Sequence, residues 1–204
     1  MPLFSTNILE EADSKFSGRL RVMDSWGSRY ISTGILTQTG GLVKDVWEGV
    51  LKKYGKKDSS WLILGLAGGT MAGLISRYLN PEKIVGVEID PVMVDLGKKY
   101  LNMGKIPKLE IVIADAKKYV RNNNSHFDYI LVDMYLGDKL PDFVYDFGFL
   151  KRLKSQGTFV IFNHLFYDDD KRQKAGRLVE KLKSIFPFVI LARKLTNLLI
   201  ICKA

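Results

Sequence analysis

Four points in the chain carry the residue types that could do chemistry, and each falls where an apolar run ends. Gly65, Gly68 and Gly69 interrupt "WLILGLAGGTMAGLI" (61–75), Glu88 closes "VGVEIDP", Asp115 closes the run "IVIADA", and Asp133 closes "FDYILVDMYLGD". Glycines at such a break let the backbone turn tightly and approach a ligand closely, and a helix that follows presents free N–H groups. The same glycines would also serve tight packing with no ligand present. A carboxylate about 20 residues further on can accept both hydroxyls of a ribose, which is the place of Glu88; a strand-end acid facing water is the plainer alternative. Asp115 can accept a hydrogen bond from an adenine amino group and can equally be a helix N-cap, and the two roles are compatible. Asp133 would point into the same crevice as a general base or a substrate anchor. Asp128 begins the run that Asp133 ends, so it belongs to the opposite end of the sheet and reads as structural.

The elements that must position these residues follow from the apolar rhythm. Residues 18–39 alternate in short extended runs broken by "DSWGS", the pattern of a small β-hairpin unit. "GGLVKDVWEGVLKKYG" has helical spacing and stops at Gly55. From residue 61, strands and helices alternate: "WLILG", "TMAGLISRYLN", "KIVGVEI", "DPVMVDLGKKYL" with Asp90 as N-cap, "LEIVIA", "DAKKYVRN" and "FDYILVDM". The helical "PDFVYDFGFLKRLK", strand "GTFVIFN" and basic helix "DDDKRQKAGRLVEKLKSI" follow, and "FVILARK" and "NLLIICK" close the chain as strands. Near-continuous apolar strands between amphipathic helices predict a doubly wound, mostly parallel α/β sheet, with one of the last two strands antiparallel. The division expected is residues 1–40 as an N-terminal β-hairpin domain and 41–204 as a Rossmann-like nucleoside-binding domain.

Composition narrows the class. The chain has 204 residues, 47% hydrophobic and 26% charged, enough for one sizeable core. One cysteine, Cys202, allows no intrachain disulfide and fits a reducing compartment. The first residues carry acids where a signal peptide needs an apolar stretch, and no run approaches the roughly 20 residues that span a bilayer, so a cytoplasmic protein without membrane association is expected. The net charge of +9 leaves nucleic acid open as a partner, although no aromatic-rich basic stripe is visible. Two histidines and one cysteine show no metal-ligand spacing. His126 reads as exposed; His164 and Asn163 could line an acceptor side. Trp26, Trp47 and Trp61 read as core, and Tyr135 as either a cover for the site or packing.

The order of glycine turn, ribose acid, adenine acid and strand-four acid is that of class I S-adenosyl-nucleoside enzymes. A dinucleotide fingerprint is absent, because Ala67 stands where G-x-G-x-x-G needs its middle glycine. More closely, the chain resembles the spermidine synthase family. "SKFSGRLRV" matches that family's SKxxGxxxV opening, "VEIDP" and "FDYILVD" match as well, and Ile63 stands where many class I methyltransferases carry an acid. The resemblance spans roughly residues 8–165. It implies Glu88 with Ile89 on ribose, Asp115 with Ala116 on adenine, Gly65, Ala67, Gly68 and Gly69 along the donor, and Gln38 near the ribose or the acceptor side. It implies that Asp133 takes a proton from an attacking amine as an aminopropyl group leaves decarboxylated S-adenosylmethionine. It also implies a small-molecule acceptor, a homodimer and no metal.

Departures fall on the amine side. The loop aspartate of the family is Gly68 here, the second acid of D-[ST]-[ST]-D-P is Leu136, and Y-[HQ]-E reads "VWE". An ammonium group buried without a carboxylate costs several kcal/mol, so such a site holds a polyamine poorly. Asp138, Glu48 and Asp45 could join Asp133 in a rearranged acidic pocket, with Tyr135 beside it. Three functions stay open: aminopropyl transfer, methyl transfer from S-adenosylmethionine to a non-polyamine acceptor, and nucleoside binding without turnover.

Overall fold

The computed structural model describes residues 6–34 and 36–204; the side chains of Leu36 and Gln38 lie outside what is described. The chain opens with four antiparallel strands in the order β1-β2-β3-β4: β1 (Thr6–Ser14), β2 (Gly18–Ser25), β3 (Ser28–Thr33) and β4 (Leu36–Thr39). Helix α1 (Gly41–Tyr54) leads to an alternating run of β5 (Ser60–Leu64), α2 (Thr70–Leu79), β6 (Lys83–Glu88), α3 (Pro91–Tyr100), β7 (Leu109–Ile113), α4 (Ala116–Asn122) and β8 (Phe127–Val132). The chain ends with α5 (Phe147–Gln156), β9 (Gly157–Leu165), α6 (Asp169–Ile185), β10 (Phe188–Lys194) and β11 (Asn197–Lys203). The stretch expected as one helix at 141–154 is a 3-10 turn, Asp142–Tyr145, followed by α5, so the break falls at Asp146.

The large sheet has seven strands in the order β10-β11-β9-β8-β5-β6-β7. Strands β5 to β9 pair in parallel, and β11 runs antiparallel to both of its neighbours. Side chains alternate strictly between the two faces, as a pleated strand requires. Trp61, Ile63, Tyr129, Leu131, Leu199 and Ile201 pack with α1 and α2 on one face. Leu62, Leu64, Ile130, Val132, Val160 and Phe162 pack with α5 and α6 on the other. Helices therefore cover both faces, and buried strands of this kind are apolar at every position.

The N-terminal sheet is fastened to α3 by polar as well as apolar contacts. Asp90 caps α3 by accepting from the Val92 and Met93 N–H groups, and its second oxygen accepts from the hydroxyls of Ser14 and Ser17, each at 2.6 Å. Leu20, Val22 and Ile31 pack on Met93 and Leu96 beneath that joint. Two expectations need correction. β1 is a full strand that alternation did not reveal, and Trp26 is 72% exposed at the β2–β3 turn rather than in the core.

Candidate active site

Strand order reverses between β5 and β8, the place where open α/β sheets form a crevice at the carboxyl ends of their strands. Gly65 follows β5 at φ +90°, and a Cβ there would stand 2.3 Å from the backbone oxygen of Asp133. That glycine makes room for the neighbouring strand end: the Asp133 N–H donates to the Leu64 oxygen at 2.9 Å. Ala67 follows at φ +46°, a left-handed conformation that an L side chain adopts at a cost of roughly 1–2 kcal/mol. Gly68 and Gly69 serve packing. Their Cβ positions are taken by Thr39, Leu101 and Met103, and neither lines the cavity over the crevice.

A cavity of about 660 Å³ opens over this crevice. Three of its carboxylates come from the ends of β6, β7 and β8: Glu88, Asp115 and Asp133. Gly65, Ala67, Ile89, Ala116 and Tyr135 also line it, while Gln38 has its side chain outside the described residues. Glu88 Oε2 accepts from the Ala67 N–H at 2.8 Å, and Oε1 accepts from Ile89 and Asp90 N–H at 2.9 and 3.1 Å. Burial pushes the Glu88 pKa up, and these three bonds work against that rise. Asp115 Oδ1 caps α4 through the Lys118 N–H at 2.8 Å while Asp115 lines the cavity.

Asp133 is held on both oxygens. Trp47 Nε1–H donates to Oδ2 and Asn163 Nδ2–H to Oδ1, each at 2.8 Å, and Asn197 in turn donates to Asn163 Oδ1 at 2.8 Å. Burial raises the Asp133 pKa, and the two donors lower it. The Tyr135 hydroxyl donates to the Asn163 backbone oxygen and accepts from the Leu165 N–H, which fixes its ring against the site. The rest of the wall is apolar or neutral: Leu42, Val43, Leu136, Phe143, Leu195 and Thr196.

The acidic cluster expected around Asp133 is not assembled. Asp138 lies in an adjoining cleft, 2.8 Å from the Lys171 ammonium, and that contact lowers its pKa. Glu48 accepts from Lys52 and from the Tyr78 hydroxyl, and Asp45 is exposed; neither lines the cavity. His164 is buried, with Nδ1 donating to the Leu165 oxygen and Nε2 accepting from Tyr145, and it faces the adjoining cleft. Trp47 was legible only as core, and Asn197 carried no signal of its own. Their roles depend on α1 crossing the end of β8 and on β11 lying beside β9. Ser17 reaches the cavity through the Asp90 joint. Among the described residues, no group of acids, histidines and cysteines is placed to hold a metal ion.

Known proteins share this architecture. A probable spermidine synthase from Corynebacterium glutamicum superposes with a TM-score of 0.77 at 15% identity, covering 97% of this chain and 80% of that one. Human methyltransferase-like protein 13, solved in complex with SAH, gives 0.61 at 22% identity over 79% of each chain. Both likenesses show the fold. In sequence, a polyamine aminopropyltransferase of Neisseria meningitidis is 30% identical over 131 residues, 60% of this chain and 47% of that protein. An eEF1A lysine and N-terminal methyltransferase homolog of Drosophila pseudoobscura is 34% identical over 86 residues, 41% of this chain and 12% of that protein. The chain thus matches less than half the length of either relative. The model of the spermine/spermidine synthase domain matches residues 50–198, most of the chain and every strand of the crevice. By that match, the protein belongs to the spermine/spermidine synthase domain family.

Proposed function

We propose that the chain binds an S-adenosyl nucleoside in the 660 Å³ cavity and moves the aminopropyl group of a decarboxylated donor to an amine. The observation that carries this reading is the convergence of Glu88, Asp115 and Asp133 from successive strand ends on one cavity. Glu88 takes the ribose. Its carboxylate has about four lone-pair sites, and three backbone N–H groups already use three of them. Accepting two hydroxyls therefore requires one of these N–H bonds to give way. Asp115 and Ala116 border the adenine.

The neutral amine attacks the carbon beside the sulfonium. The new C–N bond forms as the C–S bond breaks, its electron pair returns to sulfur as a thioether, and the excess proton on nitrogen passes to Asp133. Trp47 and Asn163 keep that carboxylate aimed, and burial makes it a better proton acceptor than an exposed aspartate.

Methyl transfer from S-adenosylmethionine is the second reading. It is favoured by the placement of Asp138 and Glu48 outside the cavity, which leaves Asp133 alone to balance a polycationic acceptor. Incubation with each donor and a panel of amines separates the two: aminopropyl transfer releases methylthioadenosine, and methyl transfer releases S-adenosylhomocysteine. Methylthioadenosine is the expected product; S-adenosylhomocysteine alone would replace the first reading with the second.

A further inference from the structure

We propose that the cleft beside the main cavity binds a phosphate-class oxyanion carried by the acceptor, an inference that rests on the transferase reading above. The cleft encloses about 310 Å³ and shares Tyr135 and Leu165 with the main cavity as a common wall. Five cations line it: Lys139, Lys171, Lys174, Arg177 and Lys181. The last four are spaced by three, three and four residues along α6, so they stand on one face of that helix.

The charge is not cancelled within the cleft. Asp138 and Asp142 line it, and Asp170 reaches in from α6, so five cations face three acids, a net of 5 − 3 = +2. Lys171 is buried and requires its partner Asp138, at 2.8 Å. Lys174 pairs with Asp170 at 2.7 Å, and Lys181 donates to the Tyr145 backbone oxygen at 2.8 Å. Among the described residues, the side chains of Lys139 and Arg177 make no ion pair or hydrogen bond. The neutral groups on the floor are already satisfied, since His164 and Tyr145 bond to each other and His164 to the Leu165 oxygen.

A concave wall with surplus positive charge focuses its field inward, and a guanidinium matches the two-oxygen edge of a phosphate. The volume is at the lower end of small-molecule pockets, which suits one anionic group rather than a polymer. A polyamine would meet a net charge of its own sign there. An acceptor with its nucleophile at Asp133 and its anionic end past Tyr135 meets complementary charge at both ends.

The test is calorimetric titration of the whole chain, at low salt, with inorganic phosphate and with ω-aminoalkyl phosphates of increasing length. Wild type should bind phosphate, and Arg177→Ala and Lys139→Ala should each bind it at least tenfold more weakly. Both side chains lie on the surface of the cleft, and thermal melting verifies folding. Affinity for the S-adenosyl nucleoside should not change in either variant. One aminoalkyl phosphate should bind at least tenfold tighter than phosphate itself. Absent phosphate binding, or equal binding in wild type and both variants, would overturn the site. Phosphate binding with no gain from any attached amine would overturn its assignment to the acceptor. Loss of nucleoside binding in wild type would count against the transferase reading alone and would be seen separately.

Discussion

Three backbone N–H groups converge on Glu88, so replacing it tests binding and folding at once. Glu88→Gln keeps the shape but turns one oxygen into a donor, which must face either Ala67 or the pair Ile89 and Asp90. Nucleoside affinity should fall roughly ten- to hundredfold, the ~1.5–3 kcal/mol of a hydrogen bond to a charged group. Calorimetry reads that loss, and a melting curve reads the cost of the crossed N–H pair. Asp133 sets a pH dependence. Its pKa is raised by burial, so the carboxylate is present above that value and is lost as pH falls through it. The rate should therefore drop on the acid side, at a higher pH than an ordinary aspartate would give. Asn163 and Trp47 lower that pKa, so Asn163→Ala or Trp47→Phe should move the acid limb upward, and Asp133→Asn should cut kcat by about 10²- to 10⁴-fold. A pH–rate profile that is unchanged in Asn163→Ala would separate Asp133 from the proton transfer.

Among the elements, the joint between β5 and β8 is the least tolerant. Gly65→Ala would drive a Cβ to 2.3 Å from a backbone oxygen at a left-handed φ, so it should destabilise by about 2–5 kcal/mol and displace Asp133. Asp90→Ala should cost about 2–4 kcal/mol, since it removes a cap and leaves the Ser14 and Ser17 hydroxyls without their acceptor. Hydrogen exchange should then rise first in β1 to β3, the strands that Asp90 fastens.

The inner strands β5, β6, β8, β9 and β11 were legible because burial leaves them largely apolar, the edge strands β7 and β10 because they stay mostly apolar although largely exposed, and Asp90, Pro91 and Asp115 announced their helices. β1 was not, because most of its residues are exposed and its acids find cations elsewhere: Glu11 pairs with Arg21 at 2.7 Å, and Glu10 accepts from Lys99 and Tyr100. Glu88, Asp115 and Asp133 were legible for a different reason, being placed by strand ends alone. Asp138 and Glu48 stand outside the cavity because each carboxylate goes to a nearby cation: Glu48 to Lys52, one turn along its own helix, and Asp138 to Lys171, which lies far along the chain. The support of Asp133 by Asn163 and Asn197 depends on which strands become neighbours, which no local pattern encodes.

Across the whole molecule, the two faces of the sheet form one folded unit around β11, and Cys202 reports on it. The thiol is fully buried on that strand, and burial pushes its pKa up to about 12. It should resist alkylation in the native protein and react at the rate at which the sheet opens, so labelling against urea should follow the unfolding transition. Labelling well below that transition would show that the β10–β11 edge opens by itself. Among the described residues, no helix is long and apolar enough to cross a membrane.

If Glu88, Asp115 and Asp133 together bind an S-adenosyl nucleoside, calorimetric titration of wild type and Glu88→Gln with S-adenosylmethionine and with its decarboxylated form will reveal it. Binding of one molecule per chain, tighter for the decarboxylated donor and weakened at least tenfold by the substitution, is the predicted result. Failure of both donors to bind wild type, or equal binding by Glu88→Gln, would contradict it.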